Sequence, residues 1–332
     1  MAKVSKSEML TDVLMAIQAS GWNAIVLNSG HPFRISMYRG DNRVIFLCYI
    51  WNLTHGGYPR DPNELRIQVT GVDRFTIESG SKTLVLGYGE DEKMFAGFDV
   101  TKHRISMSGR SPSFQIRRET LHHAKTTEFY PQIRQNNEIA IAFLPEFFAT
   151  YVNELEALHG SAQHPQDVLA VRQIADTNTT DLQDVPAGPR RTVVEEIQRK
   201  VRDTRFRKNV LATYGYRCAA SDIQLDLLDA AHIIPVEHER GTDETKNGLC
   251  LSAIHHRAFD NGLLGIKRNY SIVFHDENFT KLRAIGWDGG EKAFRESCRD
   301  AINLPSRREF YPDPDYLVFG QVLRGWNARH LS

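Results

Sequence analysis

The chain reads as an α+β protein of two domains, and three observations carry that reading. Apolar residues recur at helical spacing near the N-terminus and then switch to a period of two. Between residues 161 and 190 the apolar rhythm lapses into Thr, Asp, Gln, Pro and Gly. After the lapse, helical spacing returns and runs into a short strand pattern crowded with histidine. At 332 residues there is enough chain for two cores.

The elements follow in order. Met9, Leu10, Val13, Leu14 and Ile17 form one stripe, which predicts a helix over 8–19. "RVIFLCYIW", "LRIQVTGV", "TLVLGY" and "MFAGFDV" are short, rich in β-branched and aromatic residues, and separated by turn-rich stretches, which predicts strands. "PSFQIRRETLHHA" runs into a short helix, "NEIAIAF" is a strand, and "LPEFFATYVNELEALH" closes with a helix. Residues 1–160 are therefore expected to form a mixed α+β domain, 161–190 a linker, and 191–332 the second domain.

The apolar fraction of 41% and charged fraction of 25% belong to a globular chain. Lys+Arg and Asp+Glu both number 41, so any cationic face must be local. No run approaches the roughly 20 apolar residues of a membrane span, and the first helix is amphipathic, unlike a secretory core. Cys48, Cys218, Cys250 and Cys298 lie far apart with no CxxC pair, which points to a reducing cytoplasm and away from a disulfide framework.

One local surplus stands out. Between Arg190 and Arg217 there are nine Lys/Arg, among them Arg199, Lys200, Arg205, Arg207 and Lys208, against three acids. Val194, Ile197, Val201, Phe206, Val210 and Leu211 give this stretch helical spacing, with a break expected near Asp203. A solvated helix face explains such a run, but so does contact with nucleic-acid phosphates.

The histidine stretch follows, "LLDAAHIIPVEHERGTDETKNGLCLSAIHHRAFDNGLLGI". "LDLLDAAHIIP" reads as a strand, "VEHERGTDETKNG" as a polar loop, "LCLSAIHHRAFDNG" as a helix stopped by Gly262, and "LLGIKRNYSIVFH" as a further strand. Phosphodiester hydrolysis needs a neutral base for water and a divalent cation on the phosphate. His256 and Asp260, four apart on a helix, offer two points of grip on Mg²⁺, Mn²⁺, Ni²⁺ or Zn²⁺. Asp229 supplies a third, lying on the side of Ala231 in an ideal strand. The Asn247 amide is placed to hold the loop and orient a histidine.

"AHIIP" at His232, "KNGL" at Asn247 and "HHRAFD" at His256 together resemble the HNH endonucleases of the ββα-metal fold. "FRKNVLATYGYRCAASD" resembles the segment that precedes the motif in bacterial HNH proteins, and the likeness spans roughly 195–275. It implies that His232 is the general base, Asn247 the orienting residue and His256 a metal ligand. Mg²⁺ or Mn²⁺ is the expected ion. Many members carry two CxxC pairs around a structural zinc. Here those positions fall on Cys218 and Ser221, then Ser252 and His255, so apolar packing is expected in place of zinc. His238 and His255 are expected to be bystanders.

The first half has no equally sharp motif. Glu64, Arg66 and Gln68 alternate on one strand face opposite Leu65, Ile67 and Val69. A solvated face is the plain reading. Arg66 and Gln68 are also side chains that read base edges, and Trp51, His55, Tyr58 and Tyr88 are candidates to stack on a base. The passage resembles N-terminal regions of bacterial HNH restriction-type proteins. The joint expectation is a restriction-type or modification-dependent endonuclease acting on double-stranded DNA as a homodimer, with no membrane partner. Two alternatives stand beside it: a signal-activated HNH effector of an anti-phage system, and a catalytically silent DNA-binding regulator.

Overall fold

The computed structural model describes residues 3–59, 61–103, 112–134, 138–160, 189–225 and 227–331. The chain is α+β and divides into two compact units, Met1–Val201 and Arg202–Ser332. Residues 161–188 of the expected linker lie outside the described residues. At Pro189 the chain is already helical, and the unit boundary falls inside that helix.

The first unit opens with helix α1 (Lys6–Ala19), whose start is fixed by a capping box between Ser5 and Glu8. Ten strands follow: β1 (Asn23–Asn28), β2 (Phe33–Arg39), β3 (Asn42–Asn52), β4 (Thr54–His55), β5 (Glu64–Gln68), β6 (Lys82–Gly89), β7 (Met94–Phe98), β8 (Ser113–Arg117), β9 (Phe129–Ile133) and β10 (Ile139–Phe143). Helix α2 (Arg118–Thr127) precedes β9, and α3 (Phe148–Asn153) and α4 (Leu155–Gly160) follow β10. A seven-stranded sheet runs β1-β2-β3-β6-β7-β10-β9, with β4-β5-β8 as a separate small sheet. Only the β3–β6 pair in the large sheet is parallel.

The period of two explains the packing. On β3, Phe46, Cys48 and Ile50 enter one apolar cluster, while Leu47, Tyr49 and Trp51 enter another on the opposite face. Both faces are covered, which is why "VIFLCYIW" is continuously apolar instead of alternating. β1 and β2 and the Pro131-containing β9 escaped the sequence reading. β1 and β9 are the sheet's two edges; β1 is exposed or half-buried throughout, and an edge position tolerates the proline of β9.

The long helix α5 (Pro189–Thr213) runs unbroken through Asp203, against the expected break. Beyond it, β11 (Leu228–His232) and β12 (Gly248–Ser252) form an antiparallel hairpin, pairing His232 with Gly248 and Leu228 with Ser252. Helix α6 (Ala253–Asp260) follows at once. "GLCLS" is thus a buried strand and not the start of the helix. Leu251 lies opposite Asp229 in the hairpin, and Ile254 is exposed, so the buried helical face is His255, Ala258 and Phe259. The following apolar stretch is a hairpin of β13 (Leu264–Ile266) and β14 (Ile272–Phe274). Helices α7 (Asp276–Ala284), α8 (Glu291–Ser297) and α9 (Pro314–Val322) complete the unit.

Candidate active site

The β11–β12 hairpin and α6 converge on one open cavity of about 500 Å³, lined by Phe206, Arg207, Asp229, His232, His256, Asp260 and Arg324 among others. Two buried apolar side chains of α5, Phe206 and Val210, back the hairpin. A Cβ at Gly248 would sit 2.4 Å from Val210 and 3.0 Å from Phe206, so the glycine of "KNGL" permits this close approach.

His232 ends β11. Its ring stacks on Phe206 with centroids 3.7 Å apart and planes 7° from parallel. Its Nε2 lies 3.0 Å from Asp243 Oδ1. Asn247 is wholly buried. Its amide accepts from Ile234 N at 2.9 Å and donates to Ile234 O at 2.9 Å and Thr242 O at 2.8 Å. The asparagine therefore holds the loop, and its side chain does not touch the His232 ring.

Asp229 does not share the burial of Ala231. Ala231 is fully buried, whereas Asp229 lines the cavity beside Ala230 and His232, as the twist of a two-stranded ribbon allows. His256 is bracketed by carboxylates, Nδ1 at 3.5 Å from Asp229 Oδ2 and Nε2 at 3.2 Å from Asp260 Oδ2. Hydrogen bonds to Asp229 and then Asp260 outweigh burial and raise the His256 pKa to about 9. The same contact with His256 holds the Asp229 carboxyl below the usual range. Burial pushes Asp260 up, but bonds from His256 and Arg324 together bring it below its ordinary value.

Two carboxylates and an imidazole suit a hard or borderline divalent cation. Both nitrogens of His256 already meet a carboxylate, however, so ligation by His256 requires the ion to replace one of those contacts. Among the described residues no three His, Cys, Asp or Glu side chains are spread around a common point.

Residues 218–267 match the HNH endonuclease family model. The match lies within the second unit. Residues 44–152, in the first unit, match the family described as Methylase-associated X1. A solved structure, "Modification dependent TagI restriction endonuclease", aligns over 82% of this chain and 80% of its own, at 15% identity and a TM-score of 0.30. No curated protein matches the chain.

Arg324 lies well beyond the HNH segment, and nothing in the sequence singled it out. Its guanidinium is only 10% exposed and rests over the Phe259 ring. It donates to His232 O at 2.9 Å, Ile233 O at 2.6 Å and Asp260 Oδ1 at 2.9 Å. One arginine thus ties the end of the His232 strand to the Asp260 helix. Gly320 allows α9 to seat there, since a Cβ would lie 2.2 Å from Ile233 O. Asp243 was equally invisible, one of several acids in a polar loop.

The knuckle positions of the HNH segment are filled by hydrogen bonds. His255 Nδ1 lies 2.7 Å from Ser252 Oγ and 3.8 Å from Cys218 Sγ, and Ser252 N donates to Cys218 Sγ at 3.2 Å. Cys250 is buried on β12, and burial pushes its thiol up to about 12. His238 faces Phe319 edge-on and accepts from Arg240 N.

The basic residues divide. Arg207 donates to Asp229 at 3.2 Å and so belongs to the cavity. Arg199 pairs with Glu196 at 2.5 Å. Arg199 and Lys200 precede the unit boundary, and Arg205 and Lys208 follow it. In the first unit Arg66 lies opposite Gln115, with its Nε buried and unpartnered among the described residues, and Gln68 is exposed. Trp51 and Tyr88 are core residues, not a stacking surface, because β3 and β6 are covered on both faces. Tyr58 and His55 are exposed.

Proposed function

We propose that the chain is a restriction-type DNA endonuclease that cuts phosphodiester bonds with His232 as general base and one divalent cation, Mg²⁺ or Mn²⁺, for which Asp229, His256 and Asp260 would be the donors once the His256 ring gives up its proton and its present carboxylate contacts. The observation that carries this reading is the shared cavity: His232 faces it from β11, and the carboxylate-flanked His256 faces it from α6. His232 takes a proton from the attacking water as the new P–O bond forms. When bound, the cation supplies electrophilic stabilisation of charge on the phosphate and the leaving oxygen. Arg207, beside the cavity, and Arg199, Lys200, Arg205 and Lys208 on the same helix contact DNA phosphates, which gives affinity a steep salt dependence.

The first unit selects the DNA. The Methylase-associated X1 match over residues 44–152 supports a tie to DNA modification, with Arg66 and Gln68 as candidate readers of base edges. A homodimer supplies one HNH segment for each strand. Incubating the full chain with methylated and unmethylated plasmid and phage DNA, with Mg²⁺ or Mn²⁺, tests both levels. Metal-dependent cutting that favours modified DNA is expected. Equal cutting of both forms removes the modification dependence, and no cutting of any substrate removes the nuclease.

A further inference from the structure

We propose that Asp243 is the positioning residue of the HNH base, setting which nitrogen of His232 carries the proton. The inference rests on reading His232 as that base. A carboxylate at neutral pH only accepts hydrogen bonds, so at 3.0 Å from Asp243 Oδ1 the His232 Nε2 carries the hydrogen. In a neutral ring Nδ1 is then bare and free to take a proton. Nδ1 meets no partner among the described residues, and the ring borders the cavity. Phe206 fixes the plane of the ring, Asp243 fixes its rotation within that plane, and Arg324 holds the carbonyl of the same residue.

This arrangement also gives the motif asparagine its task. Asn247 bonds Thr242 O, the residue next to Asp243, and both backbone groups of Ile234. It therefore holds the two ends of the loop that brings Asp243 to the ring. Asn247 acts on the base at one remove, and Asp243 acts on it directly.

The step balances. An O–H bond of water breaks, its proton moves to Nδ1, and the electron pair enters the new P–O bond; the bond from phosphorus to the leaving oxygen breaks, its electron pair stays on that oxygen, and a solvent proton neutralises it. His232 becomes an imidazolium, and the unprotonated Asp243 carboxylate stabilises that charge.

The test compares wild type, Asp243→Ala, Asp243→Asn and Asp243→Glu in the full chain. Single-turnover cleavage, DNA affinity without metal, and ¹⁵N NMR of the His232 ring are measured. Wild type is expected to show the Nε2–H tautomer. Asp243→Ala and Asp243→Asn are expected to cut roughly 10²- to 10⁴-fold more slowly, the range of a positioned acid–base group, with DNA affinity within about twofold. Asp243→Glu is expected to recover part of the rate and the tautomer, which a merely structural role would not produce. If wild type cuts DNA and Asp243→Ala cuts equally fast with the tautomer unchanged, the role of Asp243 is overturned. If wild type cuts no DNA while His232 still shows the Nε2–H tautomer, the nuclease reading fails and the pairing survives as structure alone.

Discussion

The two units treat the same side chain in opposite ways. In the first, burial dominates: His31 is pushed down to about 4, with Lys6 adding to the effect, and His159 is also lowered by burial. Neither ring hydrogen-bonds a carboxylate among the described residues. His31 Nε2 accepts from Ile50 N at 3.0 Å, and His159 meets Tyr151 Oη at 2.8 Å and Ile139 O at 3.1 Å. In the second unit His256 stands between two carboxylates, and His255 lies against the Cys218 sulfur. Burial pushes His255 down, but Cys218 and Cys298 outweigh it and raise it to about 9. Burial alone keeps an imidazole neutral, while an anionic neighbour draws a proton onto it. Histidines that stay neutral and histidines that hold a proton differ by partner.

The largest expected effects fall on the charged side of the comparison. Asp229→Ala and His256→Ala are each expected to slow cleavage by more than about 100-fold, at least the cost of losing a metal's supporting residues, and a chelator is expected to stop it. Cleavage that persists in excess chelator would break the metal assignment. Arg324→Ala comes next. Removing its guanidinium leaves carbonyls of His232 and Ile233 unpaired, at about 2 kcal/mol. Hydrogen exchange should rise in residues 228–234 and 253–260 and stay unchanged in the β3–β6 core. A rise across both units would contradict the division. Tyr151→Phe is smaller, at about 1 kcal/mol, because it removes one donor from His159 Nε2. It should lower the stability of the first unit and leave the cleavage rate intact.

A further contrast is a divergence with pH in metal-free protein. His31 and His159 have depressed folded-state pKa values. As pH falls below the unfolded value near 6.5, the unfolded chain takes up protons that the folded first unit refuses. That unit's melting transition should therefore drop as pH falls from about 7 towards 4. His255 and His256 are raised to about 9, so their stabilisation is complete below about 6.5 and is lost as pH rises through 9. Calorimetric transitions that shift together at both extremes would contradict the contrast.

The same contrast explains what was legible in the sequence. Strands β3, β6, β7 and β10 announced themselves because a sheet covered on both faces demands unbroken apolar runs. The edge β1 did not, because its residues are exposed or half-buried, and the edge β9 did not because Pro131 interrupts its pattern. In the site, His232, Asn247 and His256 were visible through their flanking residues. "GLCLS" is a buried strand where the sequence suggests helix, because a short apolar run fits either element. Asp243 and Arg324 stayed hidden for another reason. One is an acid among acids in a loop, and the other arrives from 64 residues beyond Asp260. Only the folded chain brings them to the ring and to the strand end.

On the proposed reading, His232 moves the proton while His256 belongs to the cation. Cleavage and Mn²⁺ binding, measured on wild type, His232→Ala and His256→Ala, test it most directly. His232→Ala is expected to bind Mn²⁺ like wild type yet cut at least about 100-fold more slowly, and His256→Ala to lose both. A His232→Ala protein that cuts DNA at the wild-type rate would contradict it.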